Sequence, residues 1–171
     1  MLDPRIYRAS LIAVALAVFV FGFSLQTQQG PAGTTLAPEA FNGQNAYATM
    51  DTLAKRYPQR RPGSPGDEDV ASYVASSLRH DGFVVQTPTN SLKTVDGTRQ
   101  VESVIGTRPG LTSGSIVVVA HRDSLGSPAE ADLSGTAVLL ELARVLSGET
   151  QQRTIILASV SGSAGQAGAA Q

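Results

Sequence analysis

The stretch Ser115–Ser124, SIVVVAHRDS, breaks a run of β-branched residues with His121, Arg122 and Asp123. About ten residues later comes an acid, Asp132, then the small-residue turn Leu133-Ser134-Gly135 and a strongly apolar helical segment. Open α/β sheets place their ligand sites where strands deliver polar side chains at their carboxyl ends. An imidazole and carboxylates at such a place point to a scaffold for metal. The plainer alternative is structural. His121 and Asp123 can hydrogen-bond to each other and to loop amides, and Asp132 can accept amide N–H bonds where the next helix starts.

Composition narrows the chemistry. The 171 residues include two His and no Cys, so disulfides and thiolate ligands are excluded. Any metal must therefore lean on carboxylates or on groups from outside the chain. Hydrophobic residues make up 42% and charged residues 16%, which is not the composition of a disordered chain. A formal net charge of −1 gives no electrostatic footprint for nucleic acid, and none is expected as a partner. Two other chemistries fail on spacing. Gly162-Ser163-Ala164-Gly165 is not a Gly-x-Ser-x-Gly nucleophile elbow. Gly63-Ser64-Pro65-Gly66 lacks the Gly-Lys-Ser/Thr that completes a phosphate loop.

Residues 1–8 carry Arg5 and Arg8, whereas residues 9–25, ASLIAVALAVFVFGFSL, carry no charge. As a helix this segment is about 25 Å long, at the short end of what spans a bilayer. It ends without Ala-x-Ala, so a retained transmembrane anchor is favoured over a cleaved signal peptide; either one addresses the chain to a membrane. No Lys or Arg occurs between Leu25 and Lys55, which puts the N-terminus in the cytoplasm and the bulk outside. Residues 26–43 are polar with Gly, Pro and Thr, and read as a flexible tether.

Residues 44–171 must then position the chemistry. Ala46, Met50, Leu53, Ala54 and Tyr57 have near-helical spacing over 44–58, and Pro58 ends the pattern. Ser64, Pro65 and Asp67 occupy N-cap, N1 and N3 positions, and Val70, Tyr73, Val74 and Leu78 continue a helix over 65–80. Gly82 is its natural stop, with His80 in the last turn as a dipole-complementing cap. A strand is expected over 83–87, a hairpin turn at Asp96-Gly97 and a returning strand over 100–107. Val117–Ala120 reads as a strand buried on both faces. Residues 135–146 read as a crossover helix and 153–160 as the next buried strand, parallel to the first. Glu141 and Arg144, three apart, read as a surface pair. The fold class is α/β, with a mixed, mainly parallel sheet flanked by helices. The last segment, SGSAGQAGAAQ, is small and polar, and a sheet ending there leaves an edge and a face uncovered. The folded part is therefore expected to be a portion of a larger domain.

In order, Arg60-Arg61-Pro62-Gly63-Ser64, Gly82-Phe83-Val84-Val85, Ala120-His121-Arg122-Asp123-Ser124 and Asp132-Leu133-Ser134-Gly135 resemble a known family over residues 45–165. It is the zinc aminopeptidases with two co-catalytic metals, which include glutaminyl-cyclase-like and transferrin-receptor-like relatives. The resemblance implies that His121 is a metal ligand, that Asp123 holds its ring, and that Asp132 is the candidate carboxylate bridging the metals. It also implies zinc and a peptide ligand.

The sequence departs from the family pattern at two places. Counted back from Ser134, the bridging position falls on Ala131, one residue before Asp132. Aligned on Gly162, the two positions where the family carries adjacent Glu, a general base and a metal ligand, are Ser163 and Ala164. One imidazole and one carboxylate out of register are too few for a tight zinc site, so no resident metal is expected for this chain alone. The expectation is a membrane-anchored, extracytoplasmic peptidase-like domain without catalysis. The alternative is an active aminopeptidase whose remaining ligands lie in a longer natural chain.

Overall fold

The computed structural model describes residues 40–126, 133–148 and 150–162. The anchor segment 9–25 and most of the tether lie outside them. Among the described residues no helix is long and apolar enough to cross a membrane.

Helix α1 spans Gly43–Arg56. Asn42 caps it by accepting a hydrogen bond from the Gln44 N–H at 3.0 Å, and Lys55 and Arg56 occupy the negative end of its dipole. It stops two residues before Pro58, because the residue preceding a proline is driven out of the helical region. Helix α2 spans Pro65–His80, the bounds its capping residues predict. Ser64 Oγ accepts from the Asp67 N–H at 3.4 Å. At the other end Gly82 adopts φ +81°, the Gly82 N–H reaches the Arg79 carbonyl and the Phe83 N–H reaches the Leu78 carbonyl. This is the paired closure that a glycine at C′ permits.

The main sheet has four strands: β1 (Val84–Gln86), β4 (Val104–Arg108), β6 (Thr154–Val160) and β5 (Ser115–His121), in the spatial order β1-β4-β6-β5. A separate two-stranded sheet is the hairpin of β2 (Thr89–Thr94) and β3 (Gly97–Glu102). Its turn residues are Val95 and Asp96, with Gly97 at φ +92°. Helix α3, Ser134–Ser147, connects β5 to β6.

The sheet is mixed, but the mainly parallel character expected from the sequence is not found. Among the described residues only β5 and β6 run parallel, and β1–β4 and β4–β6 are antiparallel. The reason is the connections: only α3 provides a crossover long enough to return the chain in the same direction. The single returning strand expected over 100–107 is two strands in different sheets. The break falls at buried Ser103, whose N–H donates to the Pro88 carbonyl instead of to a ladder partner.

The core lies between one sheet face and the helices. Val104, Ala120, Ile155 and Leu157 pack with Val70, Val74 and Leu78 of α2 and Leu139, Leu140 and Ala143 of α3. Truncating a fully enclosed leucine such as Leu139 or Leu157 to alanine is expected to cost about 2–5 kcal/mol. The expectation that β5 is buried on both faces is also not met. Among the described residues β5 is an edge strand, and Val117 and Val119 are 57% and 59% exposed. A continuous apolar run is compatible with an edge position when nothing described covers it.

Candidate functional site

The parallel register sets Ala120 beside Ser159 and His121 beside Val160, so β5 and β6 leave the sheet side by side. Alternation along β5 decides what each exit residue does. Ala120 is buried, the His121 side chain is 45% exposed, and Arg122 is fully buried again. The backbone here is held by four hydrogen bonds, to Thr136, Val160 and, twice, Arg60. Thr136 Oγ1, in the first turn of α3, donates to the His121 carbonyl at 2.8 Å. The Arg122 N–H donates to the Val160 carbonyl at 3.1 Å, and the Ser124 N–H to the Arg60 carbonyl at 2.8 Å. Arg60 Nε donates to the Arg122 carbonyl at 3.0 Å.

His121 Nδ1 lies 3.9 Å from Oδ1 of Asp123, whose side chain is enclosed. That separation suits an ion pair with a protonated imidazole and exceeds hydrogen-bond reach. Beside the site a recess of about 220 Å³ is lined by Pro58, Arg61, Ser124 and Gly126. Arg61 borders it and is tied to Asp96 of the hairpin turn by Nε–Oδ2 at 2.6 Å. The other histidine, His80, is elsewhere: it ends α2, roughly 20 Å along the helix from Asp67, and lines a groove of about 660 Å³ with Tyr73, Glu141 and Arg144.

Behind His121 is a layer of enclosed charge. Arg122 Nε sits 2.8 Å from Asp67 Oδ1, with both side chains sealed from solvent. The contact is one of charge: Nε–H hydrogen-bonds the Asp67 carbonyl at 3.3 Å, and Oδ1 itself accepts no hydrogen bond of good geometry. The other oxygen, Oδ2, accepts from the Gly63 N–H at 2.9 Å and from Ser161 Oγ at 2.7 Å. Burial dominates the titration of both partners. It pushes the Asp67 carboxyl above the usual range despite Arg122, Ser161 and Gly63, and it lowers the Arg122 guanidinium despite the surrounding carboxylates.

Glu141 and Arg144 are more than the surface pair expected. Glu141 is buried and accepts from Arg144 Nε at 3.0 Å and from the Asn42 N–H at 2.8 Å. Arg144 also donates to the Ala40 carbonyl at 2.8 Å, so the pair ties the chain's entry into α1 onto α3. Burial alone would raise the Glu141 pKa, but the hydrogen bonds from Arg144 and Asn42 together hold it below the usual range.

A two-metal centre needs several imidazole and carboxylate donors converging on two points. Among the described residues no group of three or more His, Cys, Asp or Glu converges in this way. The described donors are one outward imidazole and an enclosed carboxylate beside it, and this set alone does not fit such a centre. Asp132, Ala131, Ser163 and Ala164 lie outside the described residues.

Sequence reasoning missed the Asp67–Arg122 pair, although two periodicities contain it. Asp67 shares the helical stripe of Val70, Ala71, Val74 and Leu78, all buried. Arg122 continues the inward alternation of Ala120. Opposite charges on two core-facing stripes must find one another.

The described residues form a mixed α/β domain whose sheet and helices match the fold of solved zinc-dependent exopeptidases and glutaminyl cyclases. Residues 103–163 match the model of Peptidase family M28. The chain is 28% identical over 165 residues to the "Probable lipoprotein aminopeptidase LpqL" of Mycobacterium tuberculosis, covering 81% of this chain and 33% of that protein. Porphyromonas gingivalis glutaminyl cyclase shares the fold at TM-score 0.66 and 24% identity, over 73% of this chain and 46% of that one. A Zn-dependent exopeptidase from Parabacteroides distasonis does so at TM-score 0.62 and 22% identity, over 70% and 46%. The likeness to zinc aminopeptidases and glutaminyl cyclases read from the sequence is thus shown. The chain spans about a third of the length of the curated relative and about half that of the solved structures.

Proposed function

We propose that the chain is a membrane-tethered, extracytoplasmic zinc-aminopeptidase-like domain that is non-catalytic as it stands and acts as a binding module for a peptide. The residue set at the two strand exits carries this reading: His121 ends β5 and Asp123 follows it, whereas Ser163 and Ala164 occupy the paired-Glu positions after β6. A serine is no general base near neutral pH unless another group activates it, and alanine has no donor atom. The curated relative's name calls it a lipoprotein, which supports attachment to a membrane. In this reading the uncharged apolar segment 9–25 is the tether.

A second reading is favoured by length. The chain covers 33% of the curated relative, and a longer natural protein can supply further ligands to make an active metallo-aminopeptidase. Hydrolysis of an aminoacyl anilide by purified full-length protein, with zinc added, separates the two. The first reading predicts no turnover above that of the His121→Ala variant; turnover that this variant abolishes would establish the second. Topology has its own test. Thr35→Cys introduces the chain's sole thiol, which should react with an impermeant reagent from outside the cell, and protection there would contradict the orientation.

A further inference from the structure

Four charged side chains at the exits of β5 and β6, Arg60, Asp67, Arg122 and Asp123, are buried, two of each sign. Neither functional reading employs Asp67 or Arg122. The Arg122 guanidinium touches three elements at once. Its Nε faces Asp67 in the first turn of α2, one terminal nitrogen donates to the Ser159 carbonyl of β6 at 3.0 Å, and the other donates to the Glu102 carbonyl at the end of β3 at 2.6 Å. Asp67 in turn accepts from Gly63, just before α2, and from Ser161, just after β6.

Apolar side chains of similar volume commonly fill such a space with equal or greater stability. They cannot fix three directions together, which the rigid guanidinium fork does. Because Arg122 follows His121 directly, the position of its fork sets the course of the backbone from which the imidazole projects.

We propose that Asp67 and Arg122 are positioning residues: their enclosed pair locks the first turn of α2 to the exits of β5 and β6 and so aims His121 outward. The proposal rests on His121 being the ligand-facing residue of the site. Its test involves neither metal nor peptide, so it can fail while the functional reading stands, and the reverse.

The full-length chain in detergent micelles, carrying His80→Gln and isotope-labelled histidine, reports on His121 alone through its ring NMR signals. The rate of its modification by diethylpyrocarbonate is a second readout. Arg122→Met, the double variant Asp67→Leu/Arg122→Met, and Arg122→Lys are compared with the parent, with stability followed by urea denaturation. The double variant should keep a folded core yet shift the His121 signals and change the modification rate. Arg122→Lys, which keeps the charge and loses the fork, should shift them in the same sense. If Arg122→Met alone fails to fold, the other two variants decide. Parental His121 signals and rate in either of them would overturn the proposal and leave the pair a filler of space.

Discussion

Arg122 Nε and Asp67 Oδ1 lie 2.8 Å apart with side chains 0% and 1% exposed, so the charge nearest the candidate site is paired out of reach of solvent. Removing one partner strands the other. Arg122→Met is expected to cost about 3–5 kcal/mol, whereas Asp67→Leu/Arg122→Met together should lie within about 1 kcal/mol of the parent or above it. Urea midpoints of the two variants check this, and equal losses would show that the ion pair itself is strongly stabilising.

Two carboxylates give stability opposite dependences on pH. Burial raises Asp67 above the ordinary aspartate value of 3.8, so the folded chain holds this proton more tightly than the unfolded one. Its contribution is favourable below that value and is lost as pH rises through the raised one. Glu141 is held below the ordinary glutamate value of 4.5 despite its burial, chiefly by Arg144 and Asn42. Its contribution is present above 4.5 and is lost as pH falls through the lowered value. In urea series from about pH 7 to about pH 3, Asp67→Asn should steepen the loss of stability towards acid, and Glu141→Gln should flatten it.

Gly82 closes α2 at φ +81°. A methyl group there would meet Arg108 no closer than 3.5 Å, which is ordinary contact. The penalty for Gly82→Ala is therefore conformational, about 1–2 kcal/mol. Gly97→Ala, at φ +92° with open space around it, should behave alike. Denaturation curves for both variants test the argument, and an unchanged midpoint would refute it.

Among the described residues nothing covers the face of β5 that carries Val117 and Val119, and β5 is at the edge of the main sheet. Such an edge invites pairing with another strand. Val119→Lys should change stability by no more than about 0.5 kcal/mol while reducing association of the chain with itself. Sedimentation in density-matched detergent reads the difference. An unchanged distribution of species would mean that the edge takes no part in association.

Local chemistry made the helices legible. Ser64, Pro65 and Gly82 bracket α2 at its observed ends, and the apolar spacing over 44–58 with Pro58 after it locates α1 with little error. The parallel β5–β6 pair was legible too, because an apolar helix between two apolar runs allows few other arrangements. The strand break at Ser103 was not, since no glycine or proline marks it and only the choice of partner sheet decides it. Nor was the exposure of β5, because an apolar run does not say which of its faces receives a neighbour. Of the site, the placement of His121 at a strand exit came from pattern. The Asp67–Arg122 pair joins residues 55 positions apart, and each half was visible without its partner.

The central claim is that the strand exits hold a peptidase-like scaffold without its metal chemistry, and zinc content tests it most directly. Purified full-length protein equilibrated with zinc and then freed of unbound metal should retain far less than one zinc per chain, with no difference in His121→Ala. Stoichiometric zinc that disappears in His121→Ala would contradict the claim.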